Sequence, residues 1–213
     1  MFCSRLALIV LVVGICVCPA WAAPIVLGSS GWSVESLGTG VTVSASVIAT
    51  GTDYVRISID KDFGPYQVED DEIDFPAALL DFTRSPAGAV GRIIIDHENV
   101  TNSTGAAWDH FQWDIFQGGN AVFNAAASSG WTVTPWFAGW ATLNPSGAGY
   151  RTVYAHDGPG VANGAVFNPT GGLVIDADGD FTFKQHVTPE PGAMALLAGG
   201  ALLGLSRRRR CRR

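Results

Sequence analysis

From Ile25 onward the chain is a series of short runs, either apolar or alternating at period two, punctuated by turn residues. Period two places alternate side chains on opposite faces of an extended backbone, so one face can be buried while the other meets water. Residues 41–48 and 54–59 show this most cleanly, and residues 92–96, 108–116, 131–140, 149–155, 161–167, 173–176 and 180–186 follow, with turn residues punctuating the chain every eight to twelve positions. Only residues 76–83 read as a helical turn. Many short strands with turn signals and no helical periodicity predict an all-β, two-sheet antiparallel sandwich or jelly roll. Between residues 173–175 and 181–183, Asp178-Gly179 predicts a type I′ hairpin. No internal repeat divides the body, which reads as one domain over residues 23–187.

Such a domain must hold itself together without disulfides. Cys3, Cys16, Cys18 and Cys211 all lie near the ends of the chain, and the body has none. Its stability has to come from a packed core, which a body of this length is large enough to bury. Charge is also unevenly placed. Residues 23–188 carry 18 acidic and six basic side chains, a net charge of −12, whereas six arginines crowd residues 207–213. An acidic body repels phosphate backbones, which argues against a nucleic-acid partner.

The two ends read as addresses. Arg5 precedes an apolar run over residues 6–17, and Pro19-Ala20-Trp21-Ala22 supplies small residues for cleavage before Ala23, the pattern of a secretory signal peptide over residues 1–22. A lipoprotein signal is the rival, but Ile15 and Val17 are bulky where that signal needs small residues. At the other end, Thr188-Pro189-Glu190-Pro191-Gly192 reads as an exposed, extended peptide, because its prolines disfavour a helix or a central strand. An apolar run over residues 193–205 follows. With Ser206 it would be about 21 Å long as a helix, short of the ~30 Å hydrocarbon core, so it spans only with local thinning and snorkelling arginines. Arg207, Arg208, Arg209 and Arg210 then form a cytoplasmic stop. A plain tail anchor is the alternative.

Pro189-Glu190-Pro191, a short Ala/Leu/Gly-rich helix and an arginine-rich end, all behind a signal peptide and an acidic body, resemble the PEP-CTERM sorting architecture of Gram-negative bacteria. The resemblance covers residues 188–213. It implies an exosortase-type membrane enzyme as processing partner, passage through the secretion machinery, transient anchoring, and then the cell surface or the extracellular space. It also implies an exopolysaccharide or biofilm setting. The segment Asn102-Ser103-Thr104-Gly105, followed by Trp108-Asp109-His110-Phe111-Gln112-Trp113, is similar to a pattern found in other bodies of this kind, without adding a chemistry.

Chemistry in the body is sparse. His97, His110, His156 and His186 form no local zinc spacing, and adjacent pairs such as His97-Glu98 and His156-Asp157 are expected on opposite strand faces. No Gly-x-Ser-x-Gly elbow marks a nucleophile, though a nonlocal Ser-His-Asp triad stays open. Glu69, Asp70, Asp71, Glu72 and Asp74 are the densest acidic cluster and a candidate calcium site, with a solvated charge run as the alternative. Asp176, Asp178 and Asp180 invite the same thought, against the hairpin reading. No other cofactor is implied. Trp131, Trp136 and Trp140 surround Pro135 and are candidates for stacking on sugar rings, the alternative being that they fill the core. The sequons at Asn99 and Asn102 read as a polar surface loop.

These features together predict an exported, noncatalytic surface or matrix-associated protein. A carbohydrate-binding module is the first alternative, and a secreted polysaccharide hydrolase using two of the body's carboxylates is the second.

Overall fold

A computed structural model describes residues 23–37, 40–69, 72–74, 76–117, 121–143 and 151–189. They form β1 (Ile25–Val26), β2 (Trp32–Ser36), β3 (Val41–Thr50), β4 (Tyr54–Phe63), β5 (Gln67–Glu69), β6 (Glu72–Asp74) and β7 (Ala77–Arg84). Then come β8 (Arg92–Asn102), β9 (Trp108–Gln117), β10 (Ala121–Phe123), β11 (Gly139–Leu143), β12 (Thr152–His156), β13 (Val166–Phe167), β14 (Thr170–Ala177) and β15 (Phe181–Pro189). Strands account for all the regular structure among these residues.

Two sheets share the core. One has the order β1-β2-β7-β15-β9-β12-β11, and the other β10-β14-β8-β4-β3 with β13 also on β8; β5 and β6 form a separate hairpin. Phe63 of β4 meets Phe111 of β9 edge-on at 5.9 Å, and Phe123 of β10 meets Phe183 of β15 at 6.1 Å. These rings cross from one sheet to the other. Burying a large apolar side chain contributes roughly 1.5–3 kcal/mol, so this aromatic layer supplies the cohesion that a cysteine-free body requires.

The structure departs from the sequence expectation in five places, one of them residues 161–167, where only Val166 and Phe167 form a strand. β4 and β8 run parallel, so the second sheet is mixed rather than antiparallel. Residues 76–83 form no helical turn: Ala78, Leu80 and Phe82 are buried in β7, which lies between β2 and β15. A strand bonded on both sides satisfies its whole backbone, which overrides the weak helical preference of two alanines and two leucines. Of residues 131–140, only the last two are strand; Val133 and Phe137 are both buried four residues apart, with Phe137 N–H bonded to Val133 O.

Finally, Asp178-Gly179 is not a hairpin turn. β14 pairs with β10 and β8, while β15 pairs with β7 and β9, so this turn carries the chain from one sheet to the other. Neither residue has the positive φ that a type I′ turn requires.

A bulge in β8 has the largest consequence for the interior. Ile57 pairs with Ile95 but Ser58 pairs with His97, leaving Asp96 unmatched. The inward set therefore shifts from Ile93 and Ile95 to Glu98, Val100 and Asn102. A bulge re-aims every side chain after it, and here it turns a glutamate into the core.

Candidate functional site

Trp131 and Trp140 pack against each other, and Trp136 packs separately on Phe167, all three largely inward. Trp131 is only 4% exposed, with ring edges against Trp113 at 4.9 Å and Trp140 at 5.2 Å. That removes Trp131 from the sugar-stacking set, because stacking needs an open ring face. Trp140 is half-buried and donates its indole N–H to Trp131 O at 3.1 Å; Trp136 is half-buried against Phe167. An open surface depression lies elsewhere. On the mixed sheet, Thr42, Ser44, Asp60, Asp62, Asn99 and Thr101, together with Val43 and Val166, line a depression of about 450 Å³ whose surface is more apolar than polar. Asn99 donates to Asp60 at 2.5 Å and accepts from Asn168.

Between the sheets sits a charged cluster that the sequence reading missed. β4 buries Val55, Ile57, Ile59 and Phe63 on its inward face, and Lys61 shares that face at 3% exposure. Its Nζ donates to Oε1 of Glu98 on β8 and to Oε1 of Gln185 on β15. Gln185 Nε2 donates to the same Glu98 oxygen at 2.7 Å, and Trp113 Nε1 holds the other at 2.9 Å. Burial pushes the Lys61 ammonium below its ordinary value of 10.5, and the charge of Glu98 and its hydrogen bond only partly oppose that. The signal was available: strict alternation over residues 55–63 puts a lysine on the apolar phase. Glu98 and Gln185 gave less warning, since the bulge sets the phase of the first and the sheet assignment that of the second.

The last strand leads directly out of the body. β15 pairs with β7 from Phe181 to His186 and with β9 from Thr182 to Pro189, where Pro189 lies opposite Trp108. Thr188 and Pro189 are thus paired rather than part of a free extended peptide, and the strand runs two residues past the body boundary read from sequence. Proline is tolerated better there because the β7 pairing stops at Ala77, opposite His186, which leaves the end of β15 paired on one side only. Residues 187–210 match the PEP-CTERM protein-sorting motif. The chain carries this sorting signal. No curated protein and no solved structure matches the chain. The motif marks an exported protein that is anchored transiently and processed by exosortase, a membrane enzyme, on its way to the cell surface. Glu190, Pro191, the apolar run of residues 193–205, Arg207, Arg208, Arg209 and Arg210 lie outside the described residues, as do residues 1–22, where the sequence leads one to expect a signal peptide.

Elsewhere on the PEP-CTERM body, the remaining candidates are dispersed. Asp70 and Asp71 lie outside the described residues, while Glu69, Glu72 and Asp74 belong to the β5–β6 hairpin. No group of three His, Cys, Asp or Glu among the described residues is placed to hold a metal ion. Asp176 accepts from Arg92 and Asn124, and Asp180 from the Arg84 backbone N–H, so these aspartates serve separate partners. His156 and Asp157 do meet, at 2.8 Å, contrary to expectation: β12 ends at His156, and Asp157 turns back at φ 55°. His97 and Glu98 point apart as expected. Asp114 and His186 face each other across β9 and β15 at 3.2 Å, and Thr152 donates to Asp114 at 2.7 Å. That hydroxyl serves the carboxylate rather than the imidazole, which is not the order of a nucleophilic triad.

The Asn102 sequon is no surface loop. Asn102 is fully buried, its Nδ2 bonded to Ala106 O and Val161 O and its Oδ1 to the Thr104 hydroxyl. Thr104 in turn accepts from the Trp108 indole. The Asn-Ser-Thr-Gly stretch is therefore an internal brace for the start of β9.

Proposed function

We propose that this protein is an exported, noncatalytic component of the cell surface or of an exopolysaccharide matrix, delivered there by its PEP-CTERM signal and released as a folded β body. The observation that carries the reading is the continuity of β15 with the motif: residues 187–189 belong to both. A processing enzyme acting beyond Pro189 would release the body with its last strand complete. The acidic surface suits a hydrated matrix, where net charge keeps proteins dispersed. Intact mass and fractionation from the native host test this. A chain ending near Glu190, found outside the inner membrane, is expected. A chain retaining residues 193–213 in the inner membrane would make it a tail-anchored periplasmic protein and overturn the proposal.

The open depression, where polar groups sit beside Val43 and Val166, favours a second reading, carbohydrate binding. Hydroxyl, amide and carboxylate groups in an open cleft can hydrogen-bond sugar hydroxyls. Calorimetry against a glycan panel, with Asp60→Ala as the variant that loses binding, tests it; no heat from any glycan refutes it.

A further inference from the structure

The buried Lys61–Glu98–Gln185 cluster has the composition and contacts of a bond-forming site. We propose that Lys61 and Gln185 become joined by an isopeptide bond between Nζ and Cδ, with Glu98 carrying the protons. Three observations point there. The amine touches the carbonyl oxygen of the carboxamide it would attack, so nucleophile and electrophile are already adjacent. A single carboxylate oxygen, Glu98 Oε1, contacts both Nζ and the departing group Nε2. The Trp113 indole N–H fixes the other carboxylate oxygen, so the proton carrier cannot rotate away. Holding reactive groups in this way replaces an encounter in solution with an intramolecular step.

The surroundings favour the same chemistry. On their strands the three side chains are flanked by buried apolar residues: Ile59 and Phe63 beside Lys61, Val100 beside Glu98, Phe183 and Val187 beside Gln185. Such a site excludes water, which would otherwise compete as nucleophile. It also favours the neutral amine, the only form of lysine that can attack a carbonyl.

The step balances without any cofactor. Glu98 accepts a proton from the Lys61 ammonium, and the freed Nζ lone pair forms a bond to Gln185 Cδ while the carbonyl electron pair moves onto Oε1. Collapse of that intermediate breaks Cδ–Nε2. Two protons leave Nζ and both end on Nε2, by way of Glu98, so the nitrogen departs as ammonium and Glu98 returns to a carboxylate. One C–N bond forms, one breaks, and nothing is oxidised or reduced.

The bond would join residues 124 positions apart in sequence and on opposite sheets. In a body without cysteine it would do what a disulfide does in other exported domains. It also falls on β15, the strand that leads into the sorting motif, so it would tie the membrane-anchored end of the chain to the mixed sheet.

Peptide mapping of the full wild-type protein, recovered from its native host, decides the matter. Trypsin should fail to cut after Lys61. Residues 57–84 should then appear joined to the peptide that begins at Gln185, about 17 Da below the summed masses because ammonia is lost. Cleavage after Lys61 with both peptides free overturns the proposal, as does fragmentation that places the bond on Glu98 with loss of water. In Glu98→Ala the two peptides should separate; a bond that still forms there would refute the proton-carrying role of Glu98.

Discussion

Removing the Glu98 carboxylate should produce a pH-dependent loss of stability whose slope is set by one proton. In Glu98→Ala, Lys61 stays in a site where it is 3% exposed, now without its counter-ion, and no bond to Gln185 is expected to form. Unpaired buried charges of this kind cost about 3–5 kcal/mol. The cost has a ceiling, because Lys61 can give up its proton. Unfolded, it titrates near its ordinary 10.5, and burial lowers that value in the folded chain. Deprotonation at pH 7 therefore costs at most about 5 kcal/mol, at ~1.36 kcal/mol per pH unit.

The sign follows from proton counts. Between the lowered folded pKa and 10.5, the unfolded chain binds one more proton than the folded one, so stability rises with pH. The reference is Lys61→Met/Glu98→Ala, which keeps the bulk of the lysine stem and has nothing to titrate at the site. Urea unfolding of both variants from pH 7 to 9.5 should show the double variant more stable at pH 7. The gap should close by ~1.36 kcal/mol per pH unit above the folded pKa. A gap under about 1 kcal/mol at pH 7, or one independent of pH, would mean that Lys61 is not held dry and would refute the reasoning.

Two further outcomes are expected. In Gly171→Ala, at φ 94°, the new Cβ would sit 2.0 Å from Gly130 O, so the variant should lose more stability than Gly88→Ala, where φ is 103° and the space is open. The backbone strain common to both is about 1–3 kcal/mol, and equal losses in urea unfolding would show that the contact between residues 130 and 171 can yield. For Asp114, burial raises the carboxyl pKa, but hydrogen bonds from His186, Gln112 and Thr152 outweigh it and leave the pKa below the ordinary value. A depressed carboxyl contributes stability above the unfolded pKa and loses it as pH falls through the folded one. Asp114→Asn should therefore melt earlier than the parent at pH 7 and converge with it in acid; a difference that persists in acid would refute the assignment.

Much of this protein is local information, and the sequence carries local information well. A proline-flanked glutamate ahead of a short apolar run is recognisable without a fold, because the sorting enzyme reads a linear signal. Period-two alternation likewise identified β4, β9 and β15, because which residues share a strand face depends only on the backbone's own repeat. It could also have exposed Lys61, a charge on the apolar phase.

What alternation leaves open is the partner of each strand. Asp178-Gly179 has hairpin chemistry, yet it joins strands of different sheets, and β4 pairs in parallel with a strand that begins 29 residues after it ends. Those choices depend on burying two faces against each other, a property of the whole chain. The site follows the same division. Lys61 faces inward by local periodicity, Glu98 by a bulge in pairing, and Gln185 because β15 lies at the centre of the opposite sheet. Only their packing brings an amine, a carboxylate and a carboxamide into one dry pocket, since these three positions are held together by sheet contacts and not by sequence spacing.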